Sequence, residues 1–288
     1  MANVKIIASS TCDLDDEIVE ELAITLVPLS VTFGETKYRE RIDLTKNSFY
    51  ELLENSSHHP TTSQPAPKDF VDAVTPYIKE GREVIIITVS DKLSGTYQSA
   101  KIAQKSLNYD KLFVVNSLNL TIGEGLLVRQ AAMMAKAGKS AKEILAYLNE
   151  NIPKTHAIAM MDTLKYMERG GRISKIQHII GTILRFKPFI GTDQGYLVEK
   201  GRKRGKNEAI KALRNLGKQV LADPNVTTML VGHTSSPNEA EELKQYFLTL
   251  HPDLDIFISQ VGASVGTHMG PGCFGIAWTG AFDENWLK

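Results

Sequence analysis

Cysteine is scarce in this 288-residue chain, with Cys12 and Cys273 the only two. They stand far apart and lack metal-ligand spacing, so neither a disulfide framework nor a zinc site is expected, and a reducing, cytoplasmic setting fits. Net charge is missing too: 33 basic side chains balance 33 acidic ones. A neutral chain is not steered as a whole toward polyanions, so no nucleic-acid partner is expected. No apolar run approaches the length of a membrane span. The opening Met1-Ala2-Asn3-Val4 lacks the apolar core and cleavage site of a signal peptide. Internal repeats and low-complexity tracts are absent.

Several chemical signatures are also missing. Gly170-Gly171-Arg172-Ile173-Ser174 resembles a phosphate loop only superficially, because the Gly-Lys-Ser/Thr ending is absent. Gly262-Ala263-Ser264-Val265-Gly266 follows a strand but has no acidic residue at the dinucleotide distance; its glycines, like those of Gly123-Glu124-Gly125, read as tight turns. His58, His59, His156, His178, His233 and His251 form no metal-ligand set. No nucleophile has an assignable base in the sequence.

What is present is a strand–helix alternation. Val4 to Ala8 and the apolar run Val84 to Val89 read as strands, and Leu112 to Val115 as another. Helices fit Asp13 to Leu22, Thr45 to Glu54, Pro67 to Lys79, Thr96 to Leu107, Gly123 to Ala137 and Ser140 to Asn151. Thr25 to Phe33 is β-rich, broken by Pro28, and the polar segment Asn55 to Pro67 reads as a loop. This predicts an α/β domain over residues 1–153, with a parallel sheet and helices on both faces. Past a boundary near Pro153, strand pairs mix with helices. Pro188 to Gly191 and Tyr196 to Lys200 form a hairpin through Asp193-Gln194-Gly195, and Ser174 caps a helix reaching Leu184. Residues 154–288 therefore read as a second α/β domain with a mixed or antiparallel sheet.

The candidate site lies in loops that follow strands, where open α/β sheets bind ligands. Ser9, Ser10 and Thr11 follow the first strand, and Ser90 to Thr96 follows the central one. Their hydroxyls and nearby helix starts suit an anion; equally, they read as ordinary turns and caps. The same two readings apply to Thr61-Thr62-Ser63-Gln64-Pro65. His268, set among glycines, reads as functional or as bland with equal weight. Lys200, Arg202, Lys203, Arg204 and Lys206 form one basic cluster, either solvated surface or a dock for a phosphate or acidic partner. Two alternatives stay open: a hydrolase or phosphoryl-transfer enzyme using Ser94 and His268, and a regulatory interaction protein using the basic cluster.

Six motifs in order, over nearly the full length, resemble the DegV family, which includes the fatty-acid-binding subunits of bacterial fatty acid kinase. They are Ser10-Thr11-Cys12-Asp13-Leu14, Thr62-Ser63-Gln64-Pro65, Ser90 to Tyr97, Leu164 to Ser174, Lys187-Pro188, and Gly266 to Gly272. The resemblance implies a non-catalytic two-domain carrier with a long-chain fatty acid as its bound ligand and no other cofactor. It implies that Thr62 and Ser94 hold the carboxylate, with Thr61, Ser63 and Gly95 nearby. Ser10, Thr11, Arg172 and His268 then belong to the pocket or head-group region, and Arg204, Lys203 and Arg202 face the partner. That implied partner is the kinase's catalytic subunit, which binds ATP and makes the acyl phosphate for phospholipid synthesis. Transient contact with a membrane surface is a further expectation. Ser9 departs from the pattern, since relatives usually carry Asp there. A buried methylene is worth about 0.8 kcal/mol, so a tail of roughly 16 carbons supplies around 11 kcal/mol before ordering costs.

Overall fold

The computed structural model describes residues 3–173, 176 and 186–287. Four parallel strands form the first sheet: β1 (Val4–Ser9), β2 (Thr25–Val27), β6 (Glu83–Thr88) and β7 (Leu112–Asn116), in the order β2-β1-β6-β7. Side chains alternate between the two faces of a strand. Val4, Ile6, Ala8, Ile85 and Ile87 accordingly enter one core, against helices α5 (Thr121–Lys136) and α6 (Ala141–Asn151). Ile7, Val84 and Ile86 enter another, against α3 (Pro67–Lys79) and α4 (Thr96–Leu107). The expected parallel sheet with helices on both faces is present. Helix α1 (Asp16–Glu21) is shorter than its apolar spacing suggests, because Asp13 takes a left-handed turn at φ 53° and Asp15 is its N-cap.

Sheet two has six strands from the second half: β8 (Thr155–Met160), β9 (Phe186–Asp193), β10 (Tyr196–Arg204), β11 (Thr228–His233), β12 (Asp255–Gln260) and β13 (Phe274–Thr279). Their order is β10-β9-β8-β13-β11-β12, and only the β11–β12 pair is parallel, so the sheet is mixed. The predicted β9–β10 hairpin turns through Gln194 and Gly195, both at positive φ, as a two-residue turn requires. Helices α8 (Gly205–Val220) and α9 (Pro237–Leu250) cover one face through Leu213, Leu216, Leu243 and Phe247. The predicted helix capped by Ser174 lies outside the described residues.

Two elements sit where sequence reasoning expected coil. Thr61–Ser63 is a strand, β5, which joins β3 (Ser30–Phe33) and β4 (Thr36–Arg39) in a small antiparallel sheet ordered β4-β3-β5. Three residues bounded by prolines carry too little pattern to register as a strand. Ala263–Met269, expected as glycine turns, is helix α10. Gly266 lets it lie close on Phe49 and Tyr50 of α2 (Lys46–Asn55). Helix α2 begins at the expected Thr45 cap, whose side chain accepts from Ser48 N.

Helix α5 organises the rest. It packs on β1 from one side and on β8, β11 and β13 from the other. Every residue from Thr121 to Val128 is buried as a result. The chain changes sheets between Asn116 and Thr155, while α5 ties both cores together. Between α5, α10 and the uncovered face of the second sheet, an internal space is left.

Candidate functional site

Two chambers fill that space. Thr62, Leu93, Ser94, Arg172, Ser264 and His268 are among the residues lining the first. The second is bounded by Ile122, Ala157, Ile158, Ile190, Gly232 and Phe274 among others. Leu120, Met167, Leu197 and Met269 belong to both walls, so the chambers are adjacent. The polar groups gather at one end, and the far end is almost wholly apolar.

The polar end is assembled from four places. Strand β5 supplies Thr62, the loop after β6 supplies Ser94, the turn after α7 (Lys165–Arg169) supplies Arg172, and α10 supplies His268. Thr62 Oγ1 lies 3.0 Å from His268 Nε2. Ser94 Oγ lies 2.8 Å from Thr96 Oγ1 and accepts from Thr96 N at 3.3 Å. Arg172 donates through Nη1 to Gly170 O at 2.8 Å and through Nε to Leu93 O at 3.4 Å. The guanidinium therefore stands against both the Ser94 loop and the turn under His268.

Burial pushes His268 down to about 4, helped by the charges of Arg172 and His59, so its ring is neutral near pH 7. Its Nδ1 is buried without a hydrogen-bond partner among the described residues. A Cβ on Gly170 would lie 2.0 Å from that nitrogen, so the chain at 170 must be glycine for the ring to sit there. The arrangement offers one fixed cation, two hydroxyls and a neutral imidazole at the mouth of an apolar cavity. That is chemistry for holding an anionic head group, because a buried carboxylate needs its oxygens hydrogen-bonded.

Sequence reasoning named Thr62, Ser94, Arg172, His268 and Thr11, and the structure brings all five to this chamber. Others it places elsewhere. Thr61 and Ser63 flank Thr62 on a strand, so their side chains point the other way and both residues are exposed. Gly95 N-caps α4 and lies against the Gln64 side chain, which links the two hydroxyl motifs without lining the cavity. Ser10 is turned away: its hydroxyl donates to Glu40 and accepts from Leu29 N. Arg202, Lys203 and Arg204 lie on β10 at the sheet's edge, away from both chambers, and Arg202 pairs with Glu199 at 3.2 Å. The pairing suggested for Ser94 and His268 is not formed, since His268 bonds Thr62 instead.

Three buried acids stand behind the chamber; Asp13 belongs to the first motif, while Glu124 and Glu40 were not named as site residues. Glu124 of α5 accepts from Ser9 Oγ at 2.6 Å and from Thr11 Oγ1 at 2.9 Å. Ser9, the one departure in the motif set, thus has a carboxyl beside it, supplied by another element. Burial raises the Glu124 carboxyl well above its ordinary range. Asp13 Oδ1 accepts from Gly262 N at 2.9 Å, and burial next to Glu40 pushes Asp13 up to about 7. Glu40 accepts from Ser264 N at 2.7 Å. An acid among apolar residues of a helical stretch is the signal available for Glu124; Glu40 carries none, since nothing near it in sequence marks it as buried. Cys12 and Cys273 are free and buried, with the Cys273 thiol pushed up to about 11. Among the described residues, no group of acids, histidines and cysteines is arranged to hold a metal ion. No described helix is long and apolar enough to cross a membrane.

A family model described as "Uncharacterised protein, DegV family" matches residues 3–280. A DegV domain-containing protein of Caldanaerobacter subterraneus subsp. tengcongensis is 34% identical over 279 residues, 96% of this chain and 98% of that one. Among solved structures, DegV of Bacillus subtilis, described as a fatty acid binding protein, is 30% identical with a TM-score of 0.87; 98% of this chain and 100% of that one are covered. A stearic-acid-binding protein of Eubacterium ventriosum is 26% identical with a TM-score of 0.84, over 96% of this chain and 98% of its own.

Proposed function

This chain belongs to the DegV family, and from that premise we propose that it binds a long-chain fatty acid, carboxylate toward Thr62, Ser94 and Arg172, tail in the apolar chamber. The observation that carries the proposal is the polarity gradient of the adjacent chambers. Arg172 supplies charge, Thr62 and Ser94 supply hydroxyl donors, and His268 fixes Thr62. Ile158, Ile190 and Phe274 then replace water around the tail. Methylene burial at about 0.8 kcal/mol each supplies the affinity, and the polar end supplies orientation.

In this reading the chain is a carrier without its own catalysis. His268 has the hydroxyl of Thr62 within reach, yet among the described residues no acidic group holds its Nδ1 as the orienting member of a nucleophile–base pair. The head group sits at the end nearer the surface, positioned for a separate kinase subunit to phosphorylate it, with the basic edge of β10 as the docking side. Titration calorimetry on lipid-stripped protein tests the binding. Palmitic acid should bind saturably with a negative heat-capacity change, and hexadecanol more weakly. Failure of both ligands to bind would refute the carrier reading. Acyl phosphate formed only when this chain, a fatty acid kinase catalytic subunit and ATP are combined would support the partnership; no product would remove it.

A further inference from the structure

Helix α10 forms one wall of the polar chamber, through Ser264, Val265, His268 and Met269. It is seven residues long, and its N-cap is Gly262, which has no side chain to satisfy the first-turn N–H groups. So short a helix is not self-supporting, and its first N–H groups need acceptors from elsewhere. Two acids from the first half of the chain provide them. Asp13 accepts from Gly262 N at 2.9 Å, and Glu40 accepts from Ser264 N at 2.7 Å. The two carboxylates converge so closely that a Cβ on Gly262 would lie 2.5 Å from Glu40 Oε1 and 2.7 Å from Asp13 Oδ1.

Both acids are about 1% exposed. Placing two carboxyls side by side away from water is costly, so they are not default packing. The helix N-terminus offsets part of that cost through its partial positive charge. Glu40 is the more constrained of the two, because its second oxygen is held by the Ser10 hydroxyl, which is itself fixed by Leu29 N. Ser264 and His268 are one helical turn apart on the same face, about 6 Å along the axis. Tension on Ser264 N is therefore transmitted directly to the imidazole that meets Thr62.

We infer that Glu40 is a positioning residue for the head-group site, holding α10 by its first turn so that His268 meets Thr62. This rests on the fatty-acid reading of the site. Glu40 is absent from the wall of either chamber, so it acts through α10 and not on the ligand.

The test compares Glu40→Ala, Glu40→Asp and Glu40→Gln in the full chain. Affinity for palmitic acid and for its methyl ester is measured, together with the His268 ring resonances by NMR in lipid-free protein. Positioning predicts that Glu40→Ala and Glu40→Asp lower the acid-to-ester affinity ratio at least tenfold, with ester binding changed less than threefold. The His268 resonances should shift in both variants. Glu40→Gln, which keeps an acceptor for Ser264 N, should stay within threefold of wild type. Equal losses for acid and ester, or an unmoved His268, would overturn the inference. Should Glu40→Ala fail to fold, Glu40→Asp carries the same comparison, since its shorter side chain cannot span Ser264 N and Ser10. The NMR measurement needs no lipid. A wild-type protein that binds neither ligand would thus sink the fatty-acid reading, while the resonances still decide whether Glu40 places His268.

Discussion

Replacing Glu124 by Gln should make the protein more stable at neutral pH, by an amount that grows with pH. Glu124 is fully buried, faces only the hydroxyls of Ser9 and Thr11, and lies near Asp13 and Glu40. Burial therefore raises the carboxyl in the folded chain above the range it has in the unfolded chain. A carboxyl raised on folding contributes its full stability below the unfolded value and loses it as pH rises toward the folded one. Wild type therefore loses stability as pH rises above the unfolded value, at a slope of at most about 1.4 kcal/mol per pH unit for this one group. Glutamine is close to the acid in shape, keeps an acceptor and an amide N–H2 toward the same two hydroxyls, and does not titrate. Near pH 5 the variant should lie within about 1 kcal/mol of wild type, the net worth of one altered hydrogen bond; as pH rises from there it should gain steadily on wild type. Asp13 is raised in the same sense but is common to both proteins, so it cancels in the difference. Urea unfolding of both proteins across this range is the assay. Parallel stability curves, or a wild type that gains on the variant as pH rises, would refute a Glu124 carboxyl raised by burial.

Other consequences concern the polar chamber and the basic edge. Gly170→Ala puts a methyl 2.0 Å from His268 Nδ1, so it should displace the ring, break its bond to Thr62 and weaken palmitate binding, read by calorimetry; a loss of roughly tenfold or more matches one hydrogen bond to a charged group. Thr62→Val should cost a similar roughly tenfold in the same titration, while Ser63→Ala, on the outward side of β5, should stay within about 0.5 kcal/mol of wild type. Reversing charge at Lys203 and Arg204 should leave lipid affinity unchanged and reduce acyl phosphate formation with the kinase subunit, because neither residue lines a chamber.

Much of this was readable in the sequence wherever period and local chemistry agree. Val84 to Val89 marks a central strand because both of its faces are buried, and Gln194-Gly195 marks a hairpin because few residues tolerate positive φ. Thr62, Ser94, Arg172 and His268 were nameable as motif members. What motifs do not encode is direction. Thr61, Thr62 and Ser63 look equivalent in sequence, and only pairing of β5 with β3 makes Thr62 the inward one. Ser10 and Thr11 separate in the same way, one held by Glu40 and the other lining the chamber. Long-range partners are the other blind spot. Glu40 and Ser264 lie 224 residues apart, and Ser9 and Glu124 lie 115 apart. Helix α10 was hidden for that reason: its glycines suggest turns, and the carboxylates that cap it come from the other end of the chain.

The most direct test of the carrier account is native mass spectrometry of the protein purified from a bacterial host with no lipid added. The account predicts a complex heavier than the bare chain by the mass of a long-chain fatty acid, with the adduct diminished in Thr62→Val. A protein that arrives without such an acid, and takes none up when incubated with palmitate, would contradict it.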